Sequence, residues 1–194
     1  MKAIETVYNG YRCRSRAEAR FMVMMDSLGI KYTYEPEGFE FKDGTRYLPD
    51  FYLDEQGAYL EIKGVMNEKD EHKIKQLCIE SMADVFVGTP DLLFYVYTPG
   101  FYQFCEHGKI KTDVNTLIAV QSSAAIRKCA HCGKVYFKET CGAWDCEICG
   151  YYDGDAGFET LVDGEYGPES REGEKAICLA KGARFEHGEH CTIL

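Results

Sequence analysis

The stretch that most constrains the fold is residues 45–64, TRYLPDFYLDEQGAYLEIKG, in which two strand patterns flank a polar turn. Residues 47–53 are rich in aromatic side chains, and residues 58–63 run back with alternating apolar and polar side chains. This pattern predicts a β-hairpin. Because successive side chains of a strand point to opposite faces of a sheet, Glu61 and Lys63 are expected to share one face.

An acidic pair is predicted where the two strands of this hairpin meet. Pro49 lacks a backbone N–H, so the first strand should bend or leave the sheet near Asp50, beside the end of its partner strand. We therefore expect the Asp50 and Glu61 carboxylates to lie close together, with Lys63 nearby. Such an oxygen-rich pocket suits a hard divalent cation such as Mg²⁺. The alternative is that Glu61 and Lys63 form a solvated sheet face and that Asp50 only forms a turn.

The complete pattern is Pro-Asp, ten intervening residues, then Glu-x-Lys-Gly on the next predicted strand. It resembles the PD-(D/E)XK nuclease superfamily, and the similarity is closest to the compact phage-type members. Over roughly residues 8–98, the motifs of those members have counterparts here: RSRAE at 14–18, YEPEGF at 34–39, YLPDF at 47–51 and EIKG at 61–64. The resemblance implies an α/β, restriction-endonuclease-like fold with a mixed sheet flanked by helices.

The same resemblance implies metal-dependent hydrolysis of phosphodiester bonds and gives each residue a role. Asp50 and Glu61, with the carbonyl of Ile62, would bind Mg²⁺ or Mn²⁺, and Lys63 would position the attacking water. Glu18 resembles the helix-borne acid that lines the metal site in related nucleases. It also completes a Ser-x-x-Glu capping box, in which the glutamate returns to the backbone N–H of the cap serine, and both roles stay open.

The resemblance also bears on the substrate. Phage Holliday-junction-resolving endonucleases have a similar order of Glu, Asp, Glu and Lys, which makes branched or structured DNA a candidate. The implied products carry 5′-phosphate and 3′-hydroxyl ends, and a homodimer is compatible with substrates of two-fold symmetry. A competing hypothesis is a non-catalytic nucleic-acid- or protein-binding module built on a nuclease fold.

Two helices and further strands are predicted around the hairpin. Residues 15–28 carry an amphipathic apolar stripe that is closed by Gly29. A second helix is predicted over residues 67–83, where an asparagine cap precedes an acidic first turn. Residues 30–41 and 92–97 show aromatic and β-branched strand patterns.

The charge of the chain is unevenly distributed. Its formal net charge of −10 argues against nucleic acid as a partner, because phosphates are held largely by lysine and arginine. However, residues 139–194 hold 13 acidic and only 4 basic residues, so the acidity is concentrated there. The expected phosphate contacts lie earlier in the chain: Arg12, Arg14, Arg16, Arg20, Lys69 and Lys73. DNA is the expected partner, and RNA stays open as an alternative.

A paired cysteine motif predicts a second metal site. Two C-x-x-C-G knuckles, separated by 13 residues, contain Cys129, Cys132, Cys146 and Cys149. Four thiolates at this spacing suit a tetrahedral, structural Zn²⁺, and each glycine permits the tight turn around the sulfur atoms. The motif resembles a zinc ribbon. Cys141 and His131 are alternative ligands.

These patterns divide the chain into four predicted segments: a nuclease core at 1–98, a linking segment at 99–128, a zinc ribbon at 129–150 and an acidic, glycine-rich extension at 151–194. The linking segment is expected to end in a helix over residues 118–126. The extension is expected to be solvated, and one hypothesis is that it covers the basic DNA-binding face. Its weaker candidate for a second metal site consists of Cys178, His187, His190 and Cys191.

The chain has a globular composition, with 194 residues of which 45% are hydrophobic. No apolar run approaches the roughly 18 residues that span a bilayer, and the first residues do not resemble a signal peptide. An intracellular, cytoplasmic protein without membrane contact is therefore expected. The resemblance suggests a phage protein in a bacterial host.

Overall fold

The computed structural model describes residues 5–106, 109–140, 145–152 and 158–185. This part contains three helices: α1 (Arg16–Leu28), α2 (Glu68–Ser81) and α3 (Arg171–Gly182). Its strands are β1 (Thr6–Tyr8), β2 (Tyr11–Cys13), β3 (Tyr32–Tyr34), β4 (Phe39–Glu40), β5 (Arg46–Tyr47), β6 (Phe51–Leu53), β7 (Ala58–Ile62), β8 (Val85–Gly88), β9 (Phe94–Glu106), β10 (Lys109–Cys129), β11 (Val135–Glu139), β12 (Phe158–Asp163) and β13 (Gly167–Pro168).

A large mixed sheet organises the fold, in the order β13-β12-β10-β9-β8-β7-β6-β3. Strands β7 and β8 are parallel and are joined through α2, whereas the other neighbours along this order are antiparallel. The end of β10 also pairs with β11, so β11 and β12 occupy its two edges. Two further pairs, β1-β2 and β4-β5, form separate small sheets.

Helices cover both faces of the sheet. On one face, α1 and α3 pack with residues such as Leu60 and Phe86. On the other face, α2 packs through Ile74 against Val85 and Val87. This alternation follows the period of two along each strand. The chain is therefore a mixed α/β fold with a helix-covered sheet, and the predicted hairpin is confirmed by the pairing of β6 with β7.

The first two predicted helices are confirmed, and their ends follow from their caps. Ser15 is the N-cap of α1, where its side chain accepts a hydrogen bond from the backbone N–H of Glu18. The helix ends at Gly29, whose φ of 70° is the left-handed conformation that glycine adopts without strain. Asn67 caps α2 by accepting from the backbone N–H groups of Lys69 and Asp70.

The prediction that the linking segment ends in a helix is wrong. Residues 99–106 and 109–128 belong to β9 and β10, which pair with each other in antiparallel orientation, and no helix covers residues 118–126. A short apolar run does not distinguish a helix from a strand by periodicity alone. Pairing decides here, because Ile118 lies opposite Gly100 and Val120 opposite Thr98.

The predicted solvated extension is wrong over residues 158–185. Strand β12 joins the main sheet, and α3 packs on it, with Leu161 and Ala176 both buried. The approach is close enough to require Gly173, because a Cβ there would lie 1.9 Å from the carbonyl oxygen of Leu161. In the described part of the chain, no helix is long and apolar enough to cross a bilayer.

Candidate functional sites

The β6-β7 hairpin brings Asp50 and Glu61 together. Asp50 immediately precedes β6, and its backbone N–H donates to Glu61 Oε1 at 3.0 Å. In return, Asp50 Oδ2 accepts a hydrogen bond of 2.8 Å from the backbone N–H of Ile62. These reciprocal bonds lock the two carboxylates across the strand ends. We call Asp50, Glu61 and Lys63 the acid site.

Lys63, two residues after Glu61, places its ammonium group beside the two carboxylates of the acid site. Its Nζ lies 2.7 Å from Glu61 Oε2 and 3.6 Å from Asp50 Oδ2. Asp50 and Glu61 are only 4% and 0% exposed, and the Lys63 side chain is 19% exposed. The two buried carboxylates therefore hold one cationic group between them, which is the arrangement that also suits a metal cation.

Arg14 is a second cation at the acid site, and its position there was not predicted. Its Nη2 lies 2.7 Å from Asp50 Oδ1, while its Nε lies 2.8 Å from Glu35 Oε1. Both partners fall within motifs that the sequence singles out, but their pairing depends on the packing of α1 against β3 and β6. Arg14 is thus engaged by carboxylates and is not a free phosphate contact.

Burial shapes the electrostatics of the acid site. Removal from water, reinforced by the charge of Glu61, raises the pKa of Asp50 to about 7, against the opposing effects of Lys63, the Ile62 N–H and Arg14. Burial by itself would lower the pKa of Lys63, but the charges of Glu61 and Asp50 outweigh it and the net shift is upward. The two carboxylates therefore favour the charged form of Lys63 over its neutral form.

Glu18 lies beside the acid site but is not part of a compact three-carboxylate cluster. It is on α1, whereas strand alternation turns Glu61 toward the face covered by α2. The Glu18 carboxylate accepts from Ser15 Oγ at 2.8 Å, from the Arg14 backbone N–H at 3.0 Å and from Tyr34 Oη at 2.7 Å. It therefore caps α1, with the Arg14 and Ser15 groups as donors, and reaches Asp50 through Arg14.

The basic residues expected to bind phosphate separate into distinct groups. Arg12 pairs with Glu5 at 2.7 Å on the surface. Lys73 lies near the acid site, because its Nζ is 5.8 Å from the centre of the Tyr47 ring and Lys63 Nζ is 6.0 Å from the same ring. Lys69 lines a shallow cleft with Lys73. Arg16 and Arg20 line a different pocket, between α1 and the end of α3.

Tyr47 is a further residue of the acid site that sequence reasoning did not identify. Its side chain lies beside Glu61, and burial together with the Glu61 charge raises the pKa of its phenol. The ring also contacts both Lys63 and Lys73. Its place within the YLPDF motif was the available signal, since it lies three residues before Asp50.

The four cysteines of the knuckles come together as predicted. The Sγ atoms of Cys129 and Cys149 are 4.0 Å apart, and those of Cys132 and Cys146 are 3.8 Å apart. A tetrahedral Zn²⁺ with Zn–S bonds of about 2.3 Å needs sulfur atoms about 3.8 Å apart. In the described residues, this is the only group of three or more Cys, His, Asp or Glu with all ligand atoms within 4.8 Å. The cluster is compatible with a zinc site.

The two knuckles have the same backbone geometry. Gly133 and Gly150 have φ of 70° and 69°, and their N–H groups bond the carbonyl oxygens of Cys129 and Cys146 at 2.9 and 2.8 Å. Burial acts to raise the pKa of Cys129, but hydrogen bonds that include the backbone N–H groups of Cys132 and His131 lower it overall. At Cys129 these donors favour the thiolate that a metal requires, whereas burial raises the pKa of Cys132 and of Cys146.

The alternative ligands of the cysteine cluster are placed differently. The ring of His131 stacks on that of Tyr151, with centroids 4.5 Å apart, and its Nδ1 lies 3.7 Å from Cys149 Sγ. It thus packs beside the cluster instead of completing it. Cys141 lies outside the described residues, as do His187, His190 and Cys191, while Cys178 is exposed on α3.

Comparisons with protein-family models, with curated proteins and with solved structures find no match for this chain. Function must therefore be inferred from the residues and their geometry.

Proposed function

We propose that the protein is a metal-dependent endonuclease of the PD-(D/E)XK type that hydrolyses phosphodiester bonds in DNA. The observation that carries this proposal is the convergence of Asp50, Glu61 and Lys63 at the end of one hairpin. Two buried carboxylates that face a lysine ammonium can hold a divalent cation and a water molecule at the same place.

Each residue of the acid site has a distinct role in this proposal. Asp50 and Glu61, with the carbonyl of Ile62, would hold Mg²⁺ or Mn²⁺, and the cation would supply polarisation of the scissile phosphate and activation of a water molecule. Lys63 neutralises the two carboxylates in this structure. With a divalent cation balancing the two carboxylates, the Lys63 ammonium would be able to orient the attacking water.

The surrounding residues keep the acid site in place. Arg14 holds Oδ1 of Asp50, so that Oδ2 stays directed at the Ile62 N–H and toward the Lys63 ammonium. Glu18 fixes Arg14 through its backbone N–H. Lys73, which lies against Tyr47 near Lys63, is positioned to contact a phosphate next to the scissile one. We further propose that the four cysteines bind a structural Zn²⁺.

The test is cleavage of supercoiled plasmid and of a synthetic four-way junction, in Mg²⁺ or EDTA. Glu61→Gln and Lys63→Met should each lower the rate by about 100-fold or more, since each removes a group that acts on the reacting phosphate or water. Asp54→Asn is a matched control, because Asp54 is an exposed carboxylate on the same hairpin. Metal-dependent cleavage at the wild-type rate in the two site variants would refute the proposal.

Faster cleavage of the junction than of linear duplex would support branched DNA as the substrate, and a matched RNA junction tests the sugar. A second candidate function is a non-catalytic binding module on the same fold. It is favoured by one observation, namely that both acid-site carboxylates are buried and already ion-paired. In that case DNA would bind but remain uncut in every divalent metal.

A further inference from the structure

A basic pocket lies between the first half of α1 and the end of α3, on the surface of a protein whose net charge is −10. Its volume is about 380 Å³, and its charged lining residues are Arg16, Arg20, Lys181 and Arg184. We refer to these four residues as the basic pocket. The other lining residues are Gly182, Ala183 and Phe185, so no carboxylate lines it within the described part of the chain.

The pocket is built by secondary structure. Arg16 and Arg20 are four residues apart on α1, a spacing that places both side chains on one face of a helix. Lys181 lies in the last turn of α3, and Arg184 follows directly after that helix. Because α1 and α3 share one apolar core, the two pairs of cations are held against each other.

Three cations of the pocket, Arg20, Lys181 and Arg184, have no carboxylate partner among the described residues. The Nε atom of Arg20 is buried and has no hydrogen-bond partner in the part of the chain that the structure describes. No ion pair engages Arg20, Lys181 or Arg184 among the described residues, whereas Arg14, Lys63 and Lys134 each pair with a carboxylate. A buried donor without a partner, surrounded by like charges, is unfavourable unless an anion binds there.

We propose that the basic pocket binds a phosphate group of the nucleic-acid backbone. Two guanidinium groups and an ammonium offer more charge and more donors than one carboxylate can use, whereas a phosphate has several acceptor oxygens and suits the planar fork of arginine. The nucleic-acid source of this phosphate rests on the proposed function. The site itself rests on Arg20, Lys181 and Arg184 and on the buried Nε of Arg20.

The location of the pocket fits a substrate that also reaches the acid site. Glu18, which adjoins the acid site through Arg14, is two residues from both Arg16 and Arg20 along α1. At 100° per residue, Glu18 lies on the opposite side of a helix that is about 10 Å across. The pocket therefore holds a phosphate away from the scissile one and sets the direction in which the strand leaves the acid site.

The experiment measures binding of fluorescently labelled duplex and four-way-junction DNA to the full chain in EDTA, across a range of salt concentrations. Arg20→Ala and the double variant Lys181→Ala/Arg184→Ala should each weaken binding by about 10-fold, the usual scale for loss of charge-assisted hydrogen bonds. The slope of log affinity against log salt should also fall in magnitude by about 0.9 for the lost phosphate. Arg20→Lys should recover the slope but only part of the affinity, because it keeps the charge and loses the Nε donor.

Charge-matched controls lie on the same helix. Arg171→Ala and Lys175→Ala each remove one exposed positive charge of α3 outside the pocket, and they should leave the affinity within about 2-fold. Circular dichroism and thermal unfolding of every variant show that the fold is retained. Equal losses in the controls and the pocket variants would overturn the proposal, since the effect would then come from overall charge.

Inorganic phosphate separates the two sources of the ligand. If phosphate binds and Arg20→Ala abolishes this binding while DNA affinity is unchanged, the site takes a free anion and the nucleic-acid assignment is overturned. Measuring DNA binding in EDTA and plasmid cleavage in Mg²⁺ on the same pocket variants separates this inference from catalysis. If the pocket variants lose DNA affinity but the wild type does not cleave DNA, the pocket proposal is supported and only the proposed nuclease activity is refuted. If the wild type cleaves DNA but the pocket variants bind it as tightly as the wild type does, the nuclease proposal is supported and the pocket proposal is refuted.

Discussion

The acid site and the cysteine cluster both bring together side chains of types that can ligate a metal ion, but they differ in how their charge is balanced. In the acid site, Lys63 and Arg14 already pair with the two carboxylates. In the cysteine cluster, the sulfur atoms face one another, and backbone N–H groups are their main donors. We therefore expect the acid site to fold without a metal ion, and we expect the cysteine cluster to depend on one if its thiolates are to be held together.

The largest effect that this comparison predicts is at the cysteine cluster. Cys146→Ser, or a zinc chelator, should unfold the knuckles and lower the midpoint of thermal unfolding strongly, because binding of structural zinc is worth about 10 kcal/mol or more in small zinc domains. Cys178→Ser is the control, since Cys178 is an exposed thiol on α3. An unchanged midpoint in Cys146→Ser would show that the cluster does not depend on a metal.

The next largest effect is expected at the acid site, where the Lys63 ammonium should contribute more to stability than a metal ion would. Lys63→Met leaves two buried carboxylates without their shared ammonium, and breaking a buried ion pair on one side costs about 3 kcal/mol. Mg²⁺ should restore more stability to this variant than to the wild type. Denaturant unfolding with and without Mg²⁺ measures both the stability that Lys63→Met loses and the stability that Mg²⁺ restores.

Lys134→Met is the matched control for that measurement. Lys134 pairs with Glu55 at 2.6 Å on the surface, and such exposed pairs contribute less than about 1 kcal/mol. If Mg²⁺ stabilised the control as much as Lys63→Met, the cation would be binding elsewhere. The contrast between the two regions would then fail.

A third prediction concerns the contact that joins the two regions. Gln56, in the turn between β6 and β7, donates to the Phe137 carbonyl and accepts from the Phe137 N–H, both at 3.0 Å. Gln56→Ala leaves both backbone groups unpaired and should cost about 2 kcal/mol. Hydrogen exchange should then speed up at Phe137 and along the hairpin.

Glu55→Gln is the control, because it keeps the same turn and removes only the exposed ion pair with Lys134. If zinc removal accelerated exchange in the hairpin to the same extent with and without Gln56, the coupling between the acid site and the cysteine cluster would not pass through this side chain.

Local patterns were enough to predict the parts of the molecule that depend on short-range physics. The hairpin, the Ser15 and Asn67 caps and the two glycine turns of the knuckles all follow from neighbouring residues. The proximity of Asp50 and Glu61 also follows, because it is a property of one hairpin and its proline. These features need no knowledge of the rest of the chain.

Long-range pairing explains what sequence reasoning missed. The run before Ile126 became a strand because β9, β11 and β12 pair with β10 along its length. The acidic composition of the last segment concealed α3, whose Lys181 joins Arg20 of α1 in the basic pocket. Similarly, Arg14 and Arg16 are neighbours in the sequence, but they face different sites because α1 begins between them.

The smallest predicted effect concerns Asp84, which lies between the acid site and the cysteine cluster. Burial, reinforced by the charges of Glu147 and Glu139, raises the pKa of Asp84 to about 6, with Lys138 acting in the opposite direction. Because the folded-state pKa exceeds the unfolded value of about 3.9, the unfolded chain releases this proton first. The free energy of unfolding should therefore decrease as the pH rises from about 4 to 6.

Asp84→Asn removes this titration, so it should flatten the pH dependence of unfolding in that window and stabilise the protein at pH 7 by about 1 kcal/mol, allowing for partial exposure of the site. Denaturant unfolding at a series of pH values measures this. Glu139 and Glu147 are close to the cysteine cluster, so zinc-loaded protein is used throughout. If the free energy of unfolding of the wild type did not change between pH 4 and 6, Lys138 would fully compensate the charge of ionised Asp84. The surroundings of Asp84 would then resemble the acid site, where cations of the protein balance the carboxylates.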